Sequence, residues 1–113
     1  MLFRSAAYYG NWAWCFAGDW DYTDVAYPQS QWFNVVRRYT AATSKNELFV
    51  NGIKVTELTR SCTITGNDFT IGSFLNNNTT ESYIGKMRSA RIYNRAITDA
   101  EITALAAEFT PTT

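Results

Sequence analysis

Along most of this chain apolar and polar residues alternate with a period of two, and only the last stretch repeats on a helical period. The sharpest case is residues 46–56, Asn-Glu-Leu-Phe-Val-Asn-Gly-Ile-Lys-Val-Thr. Asn51-Gly52 supplies the two positive φ angles of a type I′ turn, whose twist matches that of paired strands. A two-residue loop there predicts Val50 opposite Ile53 and Leu48 opposite Val55 on one face. Glu47, Phe49, Lys54 and Thr56 then take the other face. Residues 2–9 and 12–17 read as two further strands joined at Gly10-Asn11, with Tyr9 facing Trp12. Within the second, Trp12, Trp14 and Phe16 share one face and Ala13, Cys15 and Ala17 the other.

Residues 18–30 predict a turn, a short strand near 22–27 and a loop set by Pro28. From 31 to 40, apolar residues fall on both parities (Trp32, Phe33, Val35, Val36, Tyr39), the pattern of a central strand covered on both faces. A short strand is expected at 68–73 and a polar loop at 74–80. A long strand follows at 83–94, bent where the apolar parity passes from Tyr83 and Met87 to Ala90 and Ile92. Thr98-Asp99-Ala100-Glu101 is a capping box that opens a helix with an apolar stripe of Ile97, Ile102, Leu105 and Phe109. The sum is all-β: an antiparallel two-sheet β-sandwich with one short C-terminal helix. It forms a single domain over 1–109 with a tail at 110–113.

Composition sharpens this picture. A hydrophobic fraction of 46% and an aromatic fraction of 16% give ample core material for 113 residues. Ten basic residues balance ten acidic ones, so no overall field draws the chain to nucleic acid. No apolar run is long enough to span a membrane as a helix. The start, Met1 to Ser5, is not of the secretory-signal type, so export would rest on a signal outside this sequence or on other machinery. Histidine is absent, which removes the commonest general base and metal ligand. Cys15 and Cys62 fit either one long-loop disulfide or two buried thiols.

Five blocks carry a likeness: Trp32-Phe33-Asn34-Val35-Val36; Leu48-Phe49-Val50-Asn51-Gly52; Thr70-Ile71-Gly72; Tyr83-Ile84-Gly85-Lys86-Met87; and Ala90 to Thr98 leading into Ala100-Glu101-Ile102. In order and spacing they resemble the laminin-G-like, concanavalin A-like lectin/glucanase superfamily, most clearly over 30–109. The resemblance implies a jelly-roll sandwich whose N-terminal strands are missing, shortened or supplied by another chain. It also implies a non-catalytic module that binds a glycan or a protein surface in an extracellular, cell-surface or virion setting. Where the family often carries an acidic pair after the glycine block, this chain has Arg88 and Ser89.

The chemistry-bearing candidates cluster at Asp19-Trp20-Asp21-Tyr22-Thr23-Asp24. Glucanases of related fold use a Glu-x-Asp-x-x-Glu strand to place two carboxylates about a glycosidic bond. Here every acid is the shorter Asp, and the segment reads as a solvated acidic turn with no catalytic residue. Trp20 and Tyr22 beside Asp19 and Asp21 are the ligand-binding candidates, because a ring and a carboxylate together read a sugar's face and its hydroxyls. Asp19, Asp21 and Asp24, with Asn67 and Asp68, are the candidates for Ca²⁺, which prefers several oxygen ligands. The rings of Trp12, Trp14 and Phe16 read as core rather than as a sugar platform. Arg37, Arg38, Lys86, Arg88, Arg91 and Arg95 read as charge balance, without the interleaved rings that nucleic-acid binding uses. Two roles remain in view: a lectin-like binding module, or a structural domain that completes its sandwich in a homo-oligomer or larger assembly by strand addition. An endoglycanase fragment is a distant third.

Overall fold

The computed structural model describes residues 11–16, 19–62 and 86–108, without the side chains of residues 15, 16, 19 and 20. The strands expected at 2–9 and 68–73, the loop at 74–80, the Tyr9–Trp12 pair and a Cys15–Cys62 bond all fall outside this description. β1 (Asn11–Phe16) and β2 (Asp19–Ala26) form one antiparallel pair. β3 (Val35–Thr40), β4 (Lys45–Val50) and β5 (Ile53–Thr59) form a second antiparallel sheet in the order β3-β4-β5. A single helix, α1 (Asp99–Glu108), follows.

The three-stranded sheet is the middle layer, and the parity of β4 shows why. Leu48, 1% exposed, joins Trp12 and Trp14 of β1 in one cluster, with Val35, Val50, Val55 and Leu58 packed around it. Phe49, on the opposite face, joins Ile97 and Ile102 of the helical segment, with Val36 and Leu105 at its margin. Alternate β4 residues thus face two different apolar layers: the β1-β2 pair on one side and α1 on the other. Trp12 seats its ring edge-on to Tyr27 and Phe33, with centroids 5.8 and 5.9 Å away. Trp12 and Trp14 are therefore core, as their pattern predicts.

Asn51 (φ 50°) and Gly52 (φ 84°) form the expected left-handed turn, with Val50 paired to Ile53 and Phe49 to Lys54. Beyond that the pairing departs from expectation. Leu48 faces Thr56, not Val55, because β5 bulges at Val55. The extra residue lets Val55 pack on the Trp12–Leu48 cluster despite the slip. The turn is also anchored. Asn34 N–H donates to Asn51 Oδ1 (2.9 Å), and Asn51 N–H donates to Asn34 O (2.8 Å).

Two further expectations are corrected. The strand predicted at 31–40 begins only at Val35 and lies at the margin of its sheet among the described residues, while β4 is central. Trp32, outside the strand, is half exposed. The long strand expected at 83–94 is absent over the described part, 86–94, which has no regular structure and is exposed throughout. No described strand lies beside it to complete a ladder. Arg91 and Arg95 instead tie it to α1, each by a two-pronged bridge, to Glu108 (2.7 and 3.2 Å) and to Glu101 (2.6 and 2.8 Å).

The helix starts as its sequence dictates. Glu101 N–H donates to Thr98 Oγ1 (3.1 Å), and Thr98 N–H donates to Glu101 Oε1 (2.9 Å). Ile97 and Ile102 are buried together across this cap, the arrangement of a hydrophobic staple.

Candidate functional site

β2 decides where the candidate residues go. The strand expected near 22–27 runs over 19–26, so the acidic residues 19–24 lie in paired strand and not in a turn: the rings, Thr23 and Val25 favour a pleated surface, and pairing with β1 outweighs the low strand preference of Asp. Tyr22 faces Ala13 and Asp21 faces Trp14, but the next pair is Ala26 with Asn11, so β2 bulges over 23–25. Thr23 satisfies the interrupted ladder. Its hydroxyl donates to Trp12 O (2.7 Å) and accepts from Val25 N–H (3.2 Å), while Asn11 Nδ2 donates to Thr23 O (3.1 Å).

A wide, open cleft of about 500 Å³ lies between β2 and β5, lined by Trp14, Asp21, Tyr22, Thr23, Asp24, Thr56, Glu57 and Leu58. Of the four sequence-predicted ligand residues, Tyr22 and Asp21 are in its wall. The side chains of Trp20 and Asp19 lie outside the described residues. Asp24, in the bulged part of β2, also lines the wall. The β5 wall was missed by sequence reasoning, since nothing in the local pattern reveals which strands of different sheets lie beside one another.

Its electrostatics are uneven. Tyr22 is 59% exposed. The Asp21 carboxylate accepts from Arg60 Nη1 at 3.0 Å. Lys54 (3.0 Å) and Lys45 (3.4 Å) flank Glu57 and hold its carboxyl below the usual range. Asp24 has no ion-pair partner among the described residues, so the cleft carries surplus negative charge there. Arg37 lies over the Trp14 ring at 5.1 Å, and its Nη2 donates to Asn46 Oδ1 (2.8 Å). Asn46, fully buried, passes the link on by donating to Leu58 O and Arg60 O at 3.3 and 2.9 Å. This chain of bonds fixes β5 and the Arg60 backbone behind the cleft.

Of the calcium candidates Asp19, Asp21 and Asp24, the Asp19 side chain lies outside the described residues. Asp21 is engaged by Arg60, and no group of three metal-ligating side chains forms among the described residues. The predicted partners Asn67 and Asp68 lie outside them. The basic residues resolve as charge balance in three cases: Arg38 with Glu47 and Asp99, Arg91 with Glu108, and Arg95 with Glu101.

Two antiparallel sheets packed face to face, closed by a terminal helix and with a cleft at the strand edges, define a module of the concanavalin A-like class. The match to a family model agrees. Residues 3–103 fit the model described as "Concanavalin A-like lectin/glucanases superfamily", and the chain belongs to that superfamily. A search of curated proteins gave no match. Among solved structures the chain is similar to the crystal structure of an S-layer domain-containing protein (residues 221–444) from Clostridium thermocellum. The TM-score is 0.56 at 19% identity, over 85% of this chain and 50% of that one. This chain thus spans half the length of the structure it matches, and at that identity the likeness is one of fold. Among the described residues no helix is long and apolar enough to cross a membrane.

Proposed function

We infer that this is a non-catalytic, surface-associated binding module whose β2–β5 cleft takes a carbohydrate. One observation carries the reading: an exposed Tyr22 lines a cleft whose wall also holds the Asp21 and Asp24 side chains. An aromatic face stacks on the apolar face of a pyranose, and carboxylates accept from its hydroxyls. The superfamily and the S-layer-containing neighbour favour an extracellular or cell-surface setting. Binding rather than hydrolysis is favoured because the Asp21 carboxylate is engaged by Arg60 and every acid of the segment is the shorter Asp, where glucanases of related fold place Glu residues about the glycosidic bond.

The test is titration calorimetry against a panel of soluble oligosaccharides, with candidates taken from a glycan array. Tyr22→Ala should weaken binding about tenfold or more while leaving circular dichroism unchanged. No saccharide binding, or binding indifferent to Tyr22→Ala, would end this reading. Release of reducing sugar from a bound β-glucan would restore the glucanase alternative.

A further inference from the structure

We propose that Asn51 is a site of spontaneous deamidation, and that the turn it builds governs when the reaction happens. Conversion waits for the β4–β5 hairpin to open, and the isoaspartyl product keeps the turn from closing again. The proposal is independent of the carbohydrate reading and uses none of the cleft residues.

Of the asparagines in the chain, Asn51 alone is followed by glycine. Gly52 has no side chain to crowd its own amide nitrogen, which is the nucleophile of the reaction. That nitrogen loses its proton to solvent base and bonds to Asn51 Cγ. The bond from Cγ to the side-chain nitrogen breaks, and that nitrogen takes a proton from solvent and leaves as ammonia. The cyclic imide then adds one water at either carbonyl and opens to aspartate or isoaspartate, so water is the only co-reactant. Asn51 is exposed to it. Asn46 makes the contrast: it is fully buried, and its Nδ2 is fixed by donating to Leu58 O and Arg60 O.

The folded turn holds the reacting atoms apart. Asn51 and Gly52 have φ of 50° and 84°, the left-handed pair of a type I′ turn. In such a turn ψ of the first residue is about +30°, which sets the Gly52 nitrogen nearly opposite Asn51 Cβ across the Cα–C bond. Ring closure needs that nitrogen on the same side as Cβ, so ψ must swing through most of a half-circle. Several contacts oppose the swing. Asn51 Oδ1 accepts from Asn34 N–H (2.9 Å), and Asn51 N–H donates to Asn34 O (2.8 Å). Gly52 also lies close against α1, where an added Cβ would stand 3.1 Å from that of Ala106.

The two products part ways. Aspartate keeps an oxygen for the Asn34 amide, and Asp-Gly suits the same turn. Isoaspartate carries the main chain through Cβ and Cγ and so lengthens it by an atom. A two-residue loop that pairs Val50 with Ile53 has no place for that atom.

Peptide mass spectrometry of the full chain kept at mildly alkaline pH, with fragmentation that separates aspartate from isoaspartate, tests this. In denaturing urea Asn51 should convert before any other asparagine. In the folded chain its conversion should be slower by about tenfold or more, because the open hairpin is a minor population. Folded chain aged until isoaspartate has accumulated should melt at a lower temperature in differential scanning calorimetry. Asn51→Asp, which has the new charge without the longer main chain, should stay within about 3 °C of the parent. Conversion as fast in the folded chain as in urea overturns the proposal. So does another asparagine converting first in urea, and so does an aged chain that melts no lower than Asn51→Asp.

Discussion

Removing Arg38 should be among the most damaging single changes in the middle layer. Its guanidinium meets both carboxylate oxygens of Glu47, with Nε and Nη2 each 3.0 Å away. Nη1 donates to Ile97 O (3.0 Å) and to Asp99 (2.7 Å), and the group lies 5.0 Å from the Phe49 ring. The Arg38 and Glu47 side chains are only 14% and 7% exposed, so this is a partly dehydrated pair joining β3, β4 and the residue that precedes the helix cap. In Arg38→Met the stem is kept, but Glu47 retains only Lys54, at 3.5 Å. Breaking a buried pair from one side costs about 3–5 kcal/mol. The Lys54 contact and the residual exposure place this case near 3 kcal/mol, and the Asp99 arm adds little because Asp99 is 84% exposed. With an unfolding entropy of about 2.1 cal/mol/K per residue, that loss lowers Tm by about 12 °C. Differential scanning calorimetry reads it directly. Replacing both partners, Arg38→Met with Glu47→Leu, should recover most of the loss, since no charge is then stranded. A single-variant loss below about 1 kcal/mol, or a double variant no better than the single, would refute the reasoning.

Other consequences are smaller in scope. Ile102→Ala, at a position 1% exposed, should cost about 2–5 kcal/mol in urea unfolding and leave saccharide binding untouched, because the cavity opens on the helix side of the sheet. Gly52→Ala should destabilise by about 1–2 kcal/mol, since φ is +84° and a Cβ there would lie 3.1 Å from that of Ala106; a stabilised protein would contradict the turn. Glu101 is held down to about 2 by Arg95 and by the Thr98 amide. A carboxyl depressed on folding stabilises the native state above its unfolded value of 4.5 and loses that contribution as pH falls towards 2. Carbon-detected titration should therefore show the Glu101 carboxylate ionised at pH 3, and Arg95→Gln should raise its midpoint.

The strands and the helix cap could be read from the chain because local chemistry sets them. Asn51-Gly52 permits one tight turn, and Thr98 with Glu101 forms one kind of cap. What escaped was set by contacts distant in sequence. The slip at Val55 lets both Val55 and Leu58 pack on the Trp12–Leu48 cluster, which strict alternation along β5 would not. The Asp19–Asp24 segment read as an acidic turn because it follows Gly18 and comes just before the Trp32 strand, but pairing with β1 holds it extended. The Arg38–Glu47 pair had a visible signal that charge counting missed: opposite charges share the apolar parity of Val36 and Phe49 on adjacent strands. Of the site, Tyr22 and Asp21 were legible as a ring beside an acid. The opposite wall, Thr56 to Leu58, depends on how two sheets stack, and no local pattern encodes that.

The layered arrangement underlies every statement about the cleft, and methyl-to-aromatic nuclear Overhauser contacts test it most directly. The Leu48 methyls should show contacts to the Trp12 and Trp14 rings, and the Ile102 methyls to the Phe49 ring, with no crossing between the two sets. Contacts from Ile102 to either tryptophan would place the helix on the wrong face of β4 and contradict the account.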